Sequence, residues 1–170
     1  MFAQSLSPSP ILARRRFLAL LGASAALSVA TACSGKAAAA KTFPVSYSEA
    51  EWRRRLTPAQ FYILRQKGTE RPGSSALLSE HRKGTFVCAA DGNPLYSSDT
   101  KFESGTGWPS FFRPLPGGVE TSTDWEVGIP RTEVHCARCG GHLGHVFDDG
   151  PRPTGKRYCM DGDAMLFRPA

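Results

Sequence analysis

Glu133-Val134-His135-Cys136-Ala137-Arg138-Cys139-Gly140-Gly141-His142-Leu143-Gly144-His145-Val146-Phe147 decides how this 170-residue chain is read. Two short runs, Glu133–Cys136 and Leu143–Phe147, flank a C-x-x-C knuckle followed by two glycines. Runs of four or five residues bounded by glycine read as strands, not helices. The same pattern continues outward. Gly84–Ala89, Lys156–Met160 and Ala164–Arg168 read as further strands, with turns at Asp91-Gly92-Asn93-Pro94 and Pro116-Gly117-Gly118. Helical signals stand before Gly68. Ser48-Glu49-Ala50-Glu51 is a capping box that opens a helix to about Leu56. Thr57-Pro58 opens a second, through Phe61, Tyr62 and Leu64, with Gly68 as its stop. The expectation is two small helices on a mainly β, antiparallel domain.

Composition agrees with one ordered domain: 41% hydrophobic, 21% charged, with 17 Gly and 13 Pro for many turns. The net charge of +6 is unevenly spread. Residues 1–40 hold Arg14, Arg15, Arg16 and Lys36 and no acid, which is +4. The other 130 residues carry 17 basic and 15 acidic groups, a net of +2. A body without a basic stripe argues against a nucleic-acid partner.

The first forty residues read as an address, and 41–170 as the domain. Arg14-Arg15-Arg16-Phe17-Leu18 leads into an uncharged stretch to Ala32, 16 residues from Phe17. That is shorter than the roughly 20 residues a spanning helix needs. A basic start, a short apolar core and small residues describe a secretory signal. The paired arginines with Phe-Leu resemble a twin-arginine signal, which implies a periplasmic destination. An uncleaved membrane anchor is the alternative. Ala30-Thr31-Ala32 would leave Cys33 first and open to lipidation, whereas Ala38-Ala39-Ala40 would release a soluble protein.

Four cysteines then belong to the body: Cys88, Cys136, Cys139 and Cys159. Two thiolates in C-x-x-C can grip one metal from a tight turn. Cys88 begins a matching knuckle whose partner position is Asp91. Three Cys and one Asp can form a zinc site, although a redox pair or a disulfide at Cys136/Cys139 fits the same spacing. Cys159 stands apart, after Lys156-Arg157-Tyr158. If 156–160 is a strand, Arg157 and Cys159 share a face and the guanidinium favours the thiolate. His142 and His145, joined to Cys159 by a turning loop, supply an acid–base partner for a nucleophilic thiol. Inert packing of Cys159, or a histidine completing the metal site, are the plainer readings.

Three stretches together resemble one family. They are Ser104-Gly105-Thr106-Gly107-Trp108-Pro109-Ser110-Phe111, the segment from Cys136 to Phe147, and Gly150-Pro151-Arg152-Pro153-Thr154-Gly155-Lys156-Arg157-Tyr158-Cys159. In this order they look like a B-type methionine sulfoxide reductase, a peptide-methionine (R)-S-oxide reductase, over about residues 48–168. The resemblance implies two antiparallel sheets with small N-terminal helices. It implies that Cys159 is the nucleophile, with His142 and His145 as active-site histidines and Asp149 as their acidic neighbour. Arg157 is implied beside the thiolate and Trp108 at the substrate methyl group, with Phe111 as a second substrate-binding residue. Cys88, Asp91, Cys136 and Cys139 fall on the zinc positions found in many members. An external dithiol, such as a thioredoxin-like protein, would return the enzyme to its reduced state, and oxidised exported proteins would be its substrates. The chain would act as a monomer.

Three positions depart from that pattern. Asp161 stands where Asn is usual, and an ionised carboxylate there opposes the Cys159 thiolate. Thr106 stands where some members carry a resolving cysteine, which leaves Cys88 or a carrier thiol for recycling. Asp91 replaces a metal cysteine. Two other functions remain in view: a zinc-stabilised β binding module, in which Cys159 is dispensable, and a thiol–disulfide oxidoreductase using Cys136/Cys139.

Overall fold

The computed structural model describes residues 41–170. The leader read over residues 1–40, with Arg14, Arg15, Cys33 and both cleavage sites, lies outside the described residues. Among the described residues no helix is long and apolar enough to cross a membrane.

Two helices come first, α1 (Glu49–Arg55) and α2 (Pro58–Gln66). The Ser48 hydroxyl accepts the Glu51 N–H, and Thr57 and Gln60 complete a reciprocal capping box. The second helix stops one residue before the expected glycine, because Lys67 takes the left-handed conformation (φ 55°). Trp52, Phe61, Ile63 and Leu64 bury the helices' inner faces.

The remainder is two antiparallel sheets, as expected. Strands β1 (Gly84–Cys88), β2 (Pro94–Ser97) and β9 (Met165–Pro169) form the smaller, in the order β2-β1-β9. The larger holds β3 (Lys101–Phe102), β4 (Ser110–Phe111), β5 (Val119–Asp124), β6 (Arg131–Cys136), β7 (His142–Phe147) and β8 (Arg157–Met160), in the order β3-β4-β8-β7-β6-β5.

Four of these strands escaped the sequence reading. β3 and β4 are two residues each, too short to show a period. β2 starts on a proline within a turn signal. β5, Val-Glu-Thr-Ser-Thr-Asp, is an edge strand with a mostly exposed polar middle, so it lacks apolar alternation. At the other end, Ala164 belongs to a short 3-10 turn (Gly162–Ala164) rather than to β9.

The core joins the sheets through aromatic rings. Phe111 stacks on Tyr96 with centroids 4.3 Å apart, and its edge meets Phe86 at 4.9 Å. The Tyr96 hydroxyl, fully buried, donates to the Met160 sulfur at 3.0 Å. Phe111 was expected against substrate; it is instead a core residue with no exposed surface. Strand alternation is the cause. On β4 the Ser110 hydroxyl turns to Ser104 (2.7 Å), so the next ring must point into the core.

Candidate active site and metal cluster

A cleft of about 130 Å³ is lined by Thr69, Trp108, Arg131, Gly144, His145, Phe147, Cys159 and Asp161. Central strands β7 and β8 supply its floor. Cys159 pairs with His145 on one side and with Ser110 on the other. The Thr106 hydroxyl reaches the Cys159 sulfur at 3.7 Å. Burial pushes the Cys159 thiol up; Thr106 and Arg157 pull it down, and Asp161 adds to the rise. Trp108 is fixed by its indole N–H donating to the Glu70 carbonyl at 3.3 Å.

The two histidines come together on β7 although they stand three positions apart, a spacing that in a regular strand puts them on opposite faces. A bulge resolves this: Val134 pairs with Gly144 and His135 with His142, which leaves Leu143 as an extra residue on β7, and Gly144 accommodates the turn of the chain. Its φ of 142° is open to glycine, and a Cβ there would meet the Cys159 carbonyl at 2.2 Å. The imidazole centroids are consequently 5.3 Å apart. Each ring is held by a buried carboxylate that sequence reasoning missed. His145 Nε2 is 2.7 Å from Asp124 Oδ2, and Arg131 donates to the same oxygen at 2.6 Å. His142 Nδ1 is 2.8 Å from Glu133 Oε1, while Lys67 and Ser122 donate to Oε2.

These partners set the charges. The Glu126 N–H, with His145 and Arg131 acting against burial, holds Asp124 well below the usual carboxylate range. Burial alone would raise Glu133, but donation from His142, Lys67 and Ser122 brings it down to about 2. Burial lowers His145 despite Asp124, so its imidazole tends to the neutral form. Only His145 lines the cleft; His142 is 3% exposed and lies behind it.

Asp149, expected beside the histidines, is exposed and accepts two hydrogen bonds from Arg157 at 2.9 and 2.8 Å. The chain has left β7 two residues earlier, so Asp149 reaches β8 rather than the imidazoles. Asp124 and Glu133 could have been suspected only by pairing β5 and β6 with β7, which the polar β5 concealed. Glu70 was also missed. Its backbone N–H donates to Asp161 Oδ1 at 3.0 Å, and its carboxylate accepts the Gly162 and Asp163 N–H groups.

The remaining described cysteines gather elsewhere. Cys88, Asp91, Cys136 and Cys139 place their ligand atoms within 4.8 Å of one another. Cys88 Sγ lies 3.8 Å from Cys139 Sγ, and Cys136 Sγ lies 3.7 Å from Asp91 Oδ1. A tetrahedron with Zn–S of about 2.3 Å and Zn–O of about 2.0 Å has edges of roughly 3.8 and 3.5 Å, so this donor set fits a tetrahedral cation. A disulfide does not fit, and the four described cysteines are all free. Crowding by the Cys136 and Cys139 sulfurs, with burial, pushes the Cys88 thiol up. Cys139 rises to about 12 beside Cys136. A cation reverses that cost by binding the thiolates. Neither histidine belongs to this cluster.

One partly exposed thiol beside an indole and an imidazole, apart from a buried four-ligand cluster, defines a mainly β thiol oxidoreductase. The comparisons give the family. The SelR domain matches residues 56–169. The peptide methionine sulfoxide reductase MsrB of Leptospira interrogans is 54% identical over 127 residues, covering 74% of this chain and 97% of that protein. The protein of the same name from Agrobacterium fabrum is 54% identical over 126 residues, 74% of this chain and 93% of its own. A third, from Methanosarcina barkeri, is 54% identical over 125 residues, 73% and 88% of the two chains. The chain belongs to the SelR family, that of the B-type methionine sulfoxide reductases.

Proposed function

We propose that this protein reduces the R epimer of methionine sulfoxide, chiefly in other proteins, with Cys159 as the nucleophile. The observation that carries this reading is that Cys159, alone among the described cysteines, lines a cleft with Trp108 and His145, while the other three are buried in the cluster. The indole offers the S-methyl group an apolar wall, and thioether–aromatic contact is favourable. The Cys159 sulfur attacks the sulfoxide sulfur, the S–O bond breaks, methionine leaves and a cysteine sulfenic acid remains. The oxygen needs a proton as it transfers, and His145, the imidazole that lines the cleft, supplies it, with His142 behind it. Arg157 supports the thiolate against burial.

Thr106 provides no second thiol, and Cys88 is a cluster ligand. An external dithiol protein of the thioredoxin type therefore reduces the sulfenic acid directly: two thiols become a disulfide, and thiol and water are restored. Zinc is the cation that suits three thiolates and a carboxylate, with a structural role, since no ligand position faces the cleft. Trp125, Val127 and Ile129 are exposed apolar residues on the loop that leads from Asp124 to the cleft residue Arg131, and they favour a polypeptide substrate.

The test offers the R and S epimers of a protected methionine sulfoxide separately, with a dithiol reductant, and compares an oxidised protein with the free amino acid. Turnover of R alone, faster on protein, is expected. Equal use of both epimers, or turnover of neither, refutes the reading. The leader is proposed to export the protein by the twin-arginine route. Replacing Arg14 and Arg15 by lysine should then leave it in the cytoplasm, and unchanged periplasmic recovery would overturn that route.

A further inference from the structure

The donor set of Cys88, Asp91, Cys136 and Cys139 carries more charge than one cation can cancel. Three thiolates and a carboxylate bring four negative charges and a divalent ion returns two, which leaves an excess of two. Held away from water, that excess needs donors or cations around it. Among the described residues two side chains from outside the cluster donate to its sulfurs. Asn93 Nδ2, which is neutral, reaches Cys136 Sγ at 3.5 Å. Arg65 Nη2, which brings a charge, reaches Cys139 Sγ at 3.8 Å.

Arg65 is fixed for that contact. It stands in the last turn of α2, where its Nε donates to the Leu64 carbonyl at 2.7 Å. Its Nη1 donates to the Cys139 carbonyl at 3.1 Å. The guanidinium lies over the Trp52 ring, 4.8 Å from the centroid. Gly141 leaves it room, since a Cβ there would stand 2.6 Å from Nη2. One planar fork thus grips both the sulfur and the carbonyl of a single ligand residue, which the point charge of a lysine cannot do. Arg138 is also near, 3.9 Å from Asp91 Oδ2, but its side chain is 48% exposed and water screens it. Cys139 is moreover the cluster cysteine that solvent reaches, 3% exposed against 0% for Cys88 and Cys136. A cavity of about 360 Å³ opens onto it, with Arg65, Trp52 and Phe43 in its walls.

We propose that Arg65 is part of the metal site: it holds the Cys139 ligand in place and offsets the charge of the loaded cluster, and so sets how long the cation is kept. This rests on the cluster binding zinc. Residues that orient a ligand from outside the coordination sphere are typically worth about 10- to 100-fold in metal affinity.

The test loads the full chain with zinc and challenges it with excess chelator. Arg65→Met keeps the apolar stem and removes the charge and the fork, and its zinc is expected to leave at least about 10-fold faster. Arg53→Met is the control. Arg53 stacks on Phe61 at 4.1 Å in the same helical pair, and its hydrogen bonds go to Glu49, so its release rate should match the wild type. Cobalt in place of zinc reads the sulfur directly: the thiolate-to-cobalt charge-transfer band should shift in Arg65→Met and stay in Arg53→Met. Should Arg65→Met not fold, Arg65→Lys carries the test; it keeps the charge, loses the fork and should release zinc several-fold faster. Unchanged release in the Arg65 variants overturns the inference, and so does equal acceleration by Arg53→Met. A wild type that takes up neither zinc nor cobalt overturns the cluster reading itself. A metal-loaded wild type with unaltered Arg65 variants overturns only the role of Arg65.

Discussion

Cys159→Ser is expected to abolish sulfoxide reduction, by at least about 10³-fold in kcat, while leaving the fold and the metal cluster intact. The reaction needs a sulfur that can bond to another sulfur and then keep the oxygen. A serine hydroxyl can do neither at neutral pH. No other described thiol can substitute, because Cys88, Cys136 and Cys139 are buried together in the cluster. Structurally the change is small: Cys159 is partly exposed, and its backbone pairing to His145 and Ser110 does not involve the side chain. Single-turnover assays with an R sulfoxide, beside thermal melts and metal analysis, separate the two effects. Retained turnover in the serine variant would remove Cys159 from the mechanism. It would also reopen the binding-module and Cys136/Cys139 oxidoreductase alternatives.

The second large effect is on stability. Purified protein is expected to hold one zinc per chain, and Cys139→Ser to lose it, with a cost above about 4 kcal/mol and a melting point lower by about 10 °C or more. The size follows from what the cluster joins. Cys88 ends β1 of the smaller sheet, and Asp91 follows in its turn. Cys136 ends β6 of the larger sheet, and Cys139 lies in its knuckle. One cation bound there would tie both sheets, and Arg65 of α2 adds a bond to the Cys139 carbonyl at 3.1 Å. Without it, three buried sulfurs crowd one another. Asp91→Cys has the opposite sign: a fourth thiolate should slow metal release to a chelator. Metal content, melting curves and chelator kinetics check this set. Metal-free protein with an unshifted Cys139→Ser melt would refute it.

Much of the fold was legible because its signals are local. Ser48 and Thr57 cap the helices they announce, since a cap needs only the next three residues. The runs around Cys136/Cys139 and before Cys159 became β6, β7 and β8. The edge strand β5 was hidden because its solvent-facing polar residues carry no apolar alternation. Phe111 was misread because adjacent strand residues face opposite ways, and the resemblance did not show which of Ser110 and Phe111 turns inward.

Sequence by itself determined the residue inventory of the chemistry: a lone Cys159 after Arg157, two nearby histidines, Trp108, and a Cys/Asp set with metal spacing. Those are matters of residue type and short spacing. Tertiary structure alone decided the rest. It took Asp149 away to Arg157 and gave the imidazoles to Asp124 and Glu133, which lie 21 and 9 residues from their partners. It brought His142 and His145 together through the bulge at Leu143 and the positive φ of Gly144, and set Asp161 in the cleft wall on the Glu70 backbone. Side-chain charge and proton position depend on burial and on partners across strands, and these exist only once the sheets have paired.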